Sequence, residues 1–213
     1  MARTLRTNEV ELRSFSVGGV AIPWRRILVA SINTPSIFLG PLDGVLGADV
    51  LSNFDVDLDL PHHRLVFYKR QSSPSATPAW SESWTTIAAG RSRSDHLFFP
   101  VQLDGRRIEA LFDSGAQLSV LSAAAARAFG LTDAALARDR SVTVRGVAGE
   151  QVSSHVHRFA RLEIGREVVN HPEFVVTNAK LSDADLVLGI NFLISRRIWL
   201  SYGSQQIFLS RRT

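Results

Sequence analysis

The chain has 213 residues, a net charge of +4 and a pI of about 10.3, with 45% hydrophobic and 21% charged residues. This composition is that of a globular protein with one large or two small domains, and it excludes a mostly disordered chain. The absence of cysteine excludes disulfides and thiolate chemistry. No apolar run reaches the roughly 18 residues of a membrane span, and the N-terminal residues lack the apolar region of a signal peptide.

The basic charge is carried almost entirely by arginine, because Lys69 and Lys180 are the only lysines. The arginines are scattered along the chain rather than clustered in a patch. We therefore predict no nucleic-acid site from the high pI.

Two patterns of the front segment, residues 1–68, return later in the chain. FSVGGVAIPWRRILVA from Phe15 resembles LEIGREVVNHPEFVVT, which begins 147 residues later at Leu162. VLGADVLSNFDVDLDLPHHRLVF from Val45 resembles VLGINFLISRRIWLSYGSQQIFL, which begins 142 residues later at Val187. The repetition predicts two related lobes, of which the first lacks its early part.

The alternation in DVDLDL places Asp55, Asp57 and Asp59 on one face of a strand. Three carboxylates on one face can suggest a calcium site, but a half-exposed strand explains the alternation more simply. The following stretch, residues 69–94, is rich in Ser, Pro, Thr and Arg. We interpret it as a linker to a back segment of residues 95–213.

The back segment is predicted to be mostly β. LFFPVQLDGRRIEALF has two apolar runs joined by Asp104-Gly105, a strong hairpin signal. Ser122 can cap a short helix over AAAARAF, and Gly130 can end it. The remaining runs, among them SVTVRG, EFVVTN and DLVLGINFL, read as strands. The whole chain is therefore predicted to be an all-β protein with one or two short helices.

The stretch LFDSGAQLSVLS holds the chain's most informative motif. Asp113 follows an apolar strand and precedes Ser114-Gly115-Ala116. A carboxylate in this place either caps a tight turn or forms half of a catalytic pair. Two carboxylates held close share one proton, so that one acts as base while the other acts as acid.

With Val187-Leu188-Gly189 further along, the motif resembles the retropepsin-like aspartic proteases over about residues 95–210. The resemblance is to a bacterial-type, two-unit member with an incomplete first unit. It implies an acid-protease barrel, an aspartic endopeptidase activity and a peptide or protein substrate. It also implies roles for particular residues: catalysis for Asp113; the active-site loop for Ser114, Gly115 and Ala116; a flap for Gly146, Val147, Ala148 and Gly149; and support beneath the loop for Val187, Leu188 and Gly189.

Two positions depart from the commonest family pattern. Ser114 replaces threonine, and its hydroxyl is expected to bond across to the partner lobe. Asn191 stands where many relatives carry an acidic residue, and the front copy has Asp49 there. We expect this position to be structural. The glycines of the expected flap are also compatible with an ordinary hairpin.

A single retropepsin-like unit supplies one aspartate, so the second must come from elsewhere. A homodimer can pair two copies of Asp113 across a two-fold axis. Pairing within the chain fails, because no second Asp-Ser/Thr-Gly occurs. A longer natural chain upstream of Met1 would restore the first lobe. The competing function is an inactive peptide-binding or assembly module of the same fold.

We expect neither a metal nor another cofactor. His155 and His157 share a strand face, a spacing that can bind metal, but the sequence offers no third ligand. The sequence does not assign a compartment.

Overall fold

The computed structural model of the protein describes residues 7–22, 26–30, 43–70, 77–145, 151–179, 181 and 184–210. Strands dominate these ranges, and their helices have six residues or fewer. The prediction of an all-β protein is confirmed. None of the helices in the described ranges has the length and apolar character needed to cross a membrane.

The front unit, our name for residues 7–70, consists mostly of antiparallel hairpins. Strand β1 pairs with β4, and β2 pairs with β3 through a turn in which Gly18 and Gly19 have positive φ. After helix α1, strands β5 and β6 form the last hairpin of the unit. The elements of the unit are β1 (Thr7–Glu11), β2 (Ser16–Val17), β3 (Val20–Ala21), β4 (Arg26–Ala30), α1 (Ala48–Leu51), β5 (Phe54–Asp59) and β6 (Arg64–Lys69).

The back unit, our name for residues 77–210, holds the remaining elements. Its first strands are β7 (Trp84–Ala88), β8 (Gly90–Arg91), β9 (Leu97–Leu103), β10 (Arg106–Phe112) and β11 (Val120–Ser122). Then come α2 (Ala123–Ala128), α3 (Asp133–Leu136), β12 (Arg140–Arg145), β13 (Gln151–Arg158), β14 (Arg161–Ile164), β15 (Glu167–Asn170) and β16 (Glu173–Thr177). The last elements are β17 (Leu186–Leu188), α4 (Ile190–Leu193), β18 (Arg197–Ser201) and β19 (Gln206–Ser210).

Local signals in the sequence account for the first hairpin and helix of this unit. Asp104 and Gly105 have φ values of 46° and 76°, which give the tight turn between β9 and β10. The side chain of Ser122 accepts a hydrogen bond from the N–H of Ala125 and caps α2. Gly130, with φ of 79°, lies just beyond the helix end. The predictions for these elements are confirmed.

Most strands of the back unit form one ten-stranded sheet. Its order is β12-β13-β16-β11-β17-β10-β9-β14-β15, and β8 pairs with β9. Strand β17 lies between β10 and β11, parallel to the first and antiparallel to the second. Because β10 and β11 are joined by residues 113–119, this segment must loop around the end of β17. Asp113 is the first residue of this loop.

A second sheet joins the two units. Its order is β6-β5-β18-β19-β7, with all neighbours antiparallel. Strands β5 and β18 make the contact between the units along five residue pairs, from Arg197 opposite Asp59 to Ser201 opposite Asp55. Strand β7 is part of this sheet, although it lies within the stretch interpreted as a linker. Its buried residues alternate, with Thr85 and Ile87 facing inward.

The aspartates of β5 are buried, so the prediction of a half-exposed strand is wrong. Asp55, Asp57 and Asp59 are at most 5% exposed. The Asp57 carboxylate accepts hydrogen bonds from Arg197, with Nε at 2.9 Å and Nη2 at 2.7 Å, and from Nε1 of Trp80 at 3.3 Å. The bond with Asp57 raises the pKa of Arg197 above its ordinary value. These partners lie far away in sequence, which local alternation does not report.

The main hydrophobic core is shared by the two units. It collects side chains from the back unit and from Phe54 and Val56 of β5. A smaller cluster of Trp80, Trp199 and Phe208 packs elsewhere on the five-stranded sheet. The shared core fixes the front hairpin β5–β6 against the back unit and sets the walls of the cleft described next.

Candidate active site

Strand pairing fixes Asp113 at the end of an apolar strand. The last three residues of β10 pair in parallel with β17, ending with Phe112 opposite Leu188. The N–H of Asp113 continues this ladder by donating to the carbonyl oxygen of Leu188 at 3.0 Å. The side chain itself is exposed. The backbone is thus held by a buried strand while the carboxylate faces solvent.

The loop after Asp113 orients its carboxylate. The N–H of Gly115 donates to Oδ1 of Asp113 at 2.8 Å. The N–H of Ala116 donates to the Asp113 carbonyl oxygen at 3.2 Å, which closes a tight turn. A backbone donor on one carboxylate oxygen fixes the group's rotation and leaves the other oxygen directed away from the turn.

Gly189 lies directly beneath this loop. A Cβ on Gly189 would lie 2.7 Å from the carbonyl oxygen of Ala116 and 2.6 Å from that of Leu118. Backbone oxygens cannot move aside as a flexible side chain can, so the position admits only glycine. The next residue, Ile190, donates its N–H to the Ala116 oxygen at 2.7 Å. Val187 and Leu188 are buried in the strand that leads to this contact.

Ser119 is a site residue that the sequence reasoning missed. It is 1% exposed, and its Oγ accepts from the N–H of Gly189 at 3.1 Å. The same hydroxyl donates to Oδ1 of Asn191 at 2.9 Å. Asn191 therefore ties the loop to α4, a structural role. The signal in the sequence was a lone serine within the apolar run LSVL, which a buried strand does not otherwise favour.

Two predicted features of the site stay predictions. The Ser114 side chain is exposed and makes no hydrogen bond to another residue that the structure describes. The bond expected across to a partner lobe therefore stays a prediction. The expected flap residues Gly146, Val147, Ala148 and Gly149 lie outside the described residues. Strands β12 and β13, which flank them, pair up to Arg145 opposite Gln151.

The Asp113 loop forms one wall of a cleft of about 770 Å³. Val45, Leu46 and Gly47 of the front unit line the same cleft, and most of its remaining lining is apolar. Among the described residues that line it, Asp113 is the only carboxylate. The chain thus presents one carboxylate in a cleft to which both units contribute.

Tyr202 also lines the cleft and is 3% exposed. Burial raises the pKa of its hydroxyl to about 12, although the positive charge of Arg91 lowers it and the negative charge of Asp95 raises it. The hydroxyl is therefore uncharged at neutral pH. It adds a neutral polar group to the cleft and cannot serve as the second acid–base partner in the way a carboxylate would.

The histidines considered as metal ligands have other surroundings. Nδ1 of His157 lies 2.7 Å from Oδ2 of Asp139, at the base of the β12–β13 hairpin. Across the described ranges, no three His, Asp or Glu side chains gather as a metal site. The structure therefore gives no support to a metal at His155 and His157.

Comparison with known proteins finds a family model that matches part of the back unit. The family model described as "Aspartyl protease" matches residues 99–192, which is less than half of the chain. No curated protein matches the chain. The resemblance to the retropepsin-like aspartic proteases is confirmed, and with it the all-β fold expected for this part of the chain.

Solved structures of proteases and of a protease-like domain are similar to the chain over part of its length. A retropepsin-like aspartic protease from Rickettsia conorii has 18% identity and a TM-score of 0.42, over 62% of this chain and 95% of that one. The EIAV protease complexed with the inhibitor HBY-793 has 17% identity and a TM-score of 0.38, over 49% and 90%. The retroviral protease-like domain of Ddi1 from Leishmania major has 24% identity and a TM-score of 0.33, over 46% and 74%.

Proposed function

From the aspartyl protease match over residues 99–192, we propose that this protein is an aspartic endopeptidase. Asp113 supplies one carboxylate, and a second lobe or chain supplies the other. The observation that carries the proposal is the geometry of Asp113. Its backbone is fixed by Leu188, one of its carboxylate oxygens is held by the N–H of Gly115, and the group opens into a cleft.

The reaction needs no cofactor, because two carboxylates that share a proton can activate water themselves. The ionised carboxylate takes a proton from the water as its oxygen attacks the peptide carbonyl carbon. The protonated carboxylate gives its proton to the carbonyl oxygen, which yields a tetrahedral diol. Collapse of the diol breaks the C–N bond, and a proton passes to the departing nitrogen.

The remaining site residues take supporting roles in this proposal. Ser114, Gly115 and Ala116 form the active-site loop, and Val187, Leu188 and Gly189 support it from below. Residues 146–149 act as a flap that closes over the substrate and excludes water. The substrate is a peptide in extended form, bonded to the flap backbone in the manner of an added strand.

We also infer that the two units are copies of one ancestral lobe, with residues 69–94 between a partial lobe (1–68) and a complete lobe (95–213). Strand registers support the inference. Asn8 lies opposite Val29 in β1–β4, and 147 residues later His155 lies opposite Val176 in β13–β16. Helix α1 and hairpin β5–β6 recur 142 residues later as α4 and β18–β19.

The pairing of β5 with β18 gives the relation between the copies. Asp57 lies opposite Trp199, which is the residue 142 positions later. In this proposal, a local two-fold axis through this pair exchanges the units. It carries the loop around Val187-Leu188-Gly189 to a place around Val45-Leu46-Gly47. Since the latter residues line the cleft with Asp113, a second carboxylate in that place would meet Asp113.

The experiment is cleavage of a peptide library between about pH 4 and 7, the range suggested by a shared-proton pair. The unmodified chain is compared with Asp113→Asn and with Asp133→Asn, a matched change at an exposed position outside the cleft. When a second carboxylate is supplied, by another chain or by an added lobe, we expect cleavage that is lost in the first variant and retained in the second. Cleavage that survives Asp113→Asn would overturn the proposal.

Asp113 is the single carboxylate among the described residues that line the cleft, which favours a second candidate, an inactive peptide-binding or assembly module. Such a module keeps the peptide groove and lacks the acid–base pair. It would bind library peptides with equal affinity in the unmodified chain and in Asp113→Asn, and it would cleave none of them even when a second chain is present. A homodimer that pools two copies of Asp113 would instead cleave at high chain concentration.

A further inference from the structure

The front unit leaves apolar residues uncovered that are buried at the matching positions of the back unit. Four such residues are Leu28 at 70% exposure, Val29 at 46%, Val45 at 68% and Leu46 at 44%. The residues at matching positions, each at most 7% exposed, are Val175, Val176, Val187 and Leu188. The difference lies in what covers them, because both sets are apolar and belong to equivalent segments.

In the back unit the cover is known. Strand β11 pairs with both β16 and β17, and strand β10 pairs with β17 on its other side. These two strands are joined by the loop that begins at Asp113. The front unit has no described strand in either place. The outer edge of β4 and the segment from Val45 to Gly47 therefore lack a neighbouring strand among the described residues. Open apolar edges of this kind bind a further strand readily.

Gly47 provides a second observation. Gly189, its counterpart, must be glycine because the loop backbone lies 2.6 Å from where a Cβ would be. At Gly47 a Cβ would meet only the side chain of Asp49, at 2.7 Å, and φ is −80°, which any residue can adopt. No backbone in the described part of the chain requires glycine there. A loop that docks on Gly47 would require it.

Asp49 provides a third observation. It stands where Asn191 accepts the hydroxyl hydrogen bond of Ser119 in the back unit. The Asp49 side chain is exposed and accepts only from the N–H of its neighbour Val50 in the bonds that the structure gives it. A carboxylate accepts from a hydroxyl as well as an amide oxygen does. The front unit thus keeps an acceptor at the place where an incoming loop would present a serine or threonine.

We propose that residues Leu28, Val29 and 45–49 of the front unit form a docking surface for a further polypeptide segment. This segment consists of an apolar strand, an Asp-Ser/Thr-Gly loop and a second apolar strand. This inference rests on the proposed function and names the partner that completes its site. Docking places the incoming aspartate in the cleft with Asp113. The occupant is not the Asp113 loop of a second copy, because in each copy that loop is already packed around its own Gly189.

The chain itself supplies a probe of the right chemistry. We would place a copy of residues 77–147 directly before Met1, a junction that reproduces the spacing of β12 and β13 in the back unit. The rest of the chain is unchanged. Tethering keeps the effective concentration of the probe high, so that weak docking is still detected. The control fusion carries Leu111→Asp and Leu121→Asp in the added copy, at positions buried in the back unit. A charge-matched control carries Gln102→Asp and Ala124→Asp there, at exposed positions.

The first readout is backbone hydrogen exchange at Arg26–Ala30 and at residues 45–47. The second uses the absence of natural cysteine. A single Leu46→Cys change gives a unique thiol, whose rate of maleimide labelling reports its cover, and Asp133→Cys serves as the exposed reference. We expect both rates at the surface to fall at least tenfold in the fusion and in the charge-matched control. They should stay at the level of the unmodified chain in the Leu111→Asp/Leu121→Asp control.

The outcomes separate this inference from the proposed function. Protection of the surface without cleavage would support the docking surface and contradict the protease. Cleavage without protection would support the protease and overturn the docking surface. Slow labelling of the unfused Leu46→Cys variant that becomes faster on dilution would show that a second copy covers the surface, and would also overturn the inference.

Discussion

The hydroxyl of Ser119 donates to Oδ1 of Asn191 at 2.9 Å and ties the loop after Asp113 to helix α4. The same hydroxyl accepts from the N–H of Gly189. Replacing it with Ala would leave a buried N–H without a partner. We expect Ser119→Ala to lower the free energy of unfolding by about 1–3 kcal/mol, the usual cost of such a loss. Chemical denaturation measures the change.

Ser114→Ala is the matched control for this prediction, because Ser114 is exposed in the same loop. We expect its effect on the free energy of unfolding to stay within about 0.5 kcal/mol. Equal effects of the two changes would contradict the role assigned to the Ser119 hydroxyl.

Gly189 supports the loop after Asp113 by leaving room for it. Gly189→Ala forces a Cβ to within 2.7 Å of two carbonyl oxygens. We expect the variant to lose about 1–3 kcal/mol of stability, the common cost of overpacking, and to show faster hydrogen exchange at Ala116. Gly47→Ala is the control, since both glycines precede a short helix and the Cβ at Gly47 meets only a movable side chain. A loss at Gly47 as large as that at Gly189 would contradict this account.

The ion pair between Asp57 and Arg197 holds the two units together. Asp57 is 1% exposed, so Arg197→Met would leave a buried carboxylate without its charged partner. We expect a loss of about 3–5 kcal/mol in the free energy of unfolding. The control is Arg26→Met, which removes an exposed pair with Glu9 and should cost at most about 1 kcal/mol. Equal free energies of unfolding for the two variants would show that the buried pair contributes little.

Tyr202 should make the fold sensitive to alkaline pH. Its pKa is raised from 10.0 to about 12, so its contribution to stability is complete below pH 10 and is lost as the pH rises to 12. A rise of about two in the pKa corresponds to about 2–3 kcal/mol in the free energy of unfolding. We expect the unfolding free energy of the unmodified chain to fall by that much more than that of Tyr202→Phe over this range.

The check for this prediction is denaturation at several pH values, combined with phenolate absorbance. The chain has two tyrosines, so Tyr68→Phe isolates the signal of Tyr202. Parallel stability curves for the unmodified chain and Tyr202→Phe would contradict the raised pKa.

Features set by neighbouring residues were predictable from the sequence. The Asp104-Gly105 turn and the Ser122 cap depend on contacts a few residues long, and both were predicted correctly. Strand β7 was visible only as the apolar residues of WTTIA within a polar stretch. Its place in a sheet depends on β19, more than a hundred residues away, so the linker interpretation did not include it.

Features set by distant partners were not predictable in the same way. Asp57 reads as an exposed position until Arg197, 140 residues later, is known to face it. Ser119 reads as an ordinary strand residue until Gly189 and Asn191 are brought beside it. Asp113 could be proposed from the sequence because the residues of its turn and motif are consecutive.

The central claim is that Asp113 of the original chain pairs with an aspartate of the docked segment and not with the Asp113 of a second chain, and a mixing experiment tests it most directly. The unmodified fusion and a fusion with Asp113→Asn in the original copy only are mixed at constant total concentration, and peptide cleavage is measured. The account predicts a rate that falls in proportion to the fraction of unmodified chain, because the second carboxylate comes from the docked segment. A rate that falls with the square of that fraction would show that two chains pool their Asp113 residues, and would contradict the account.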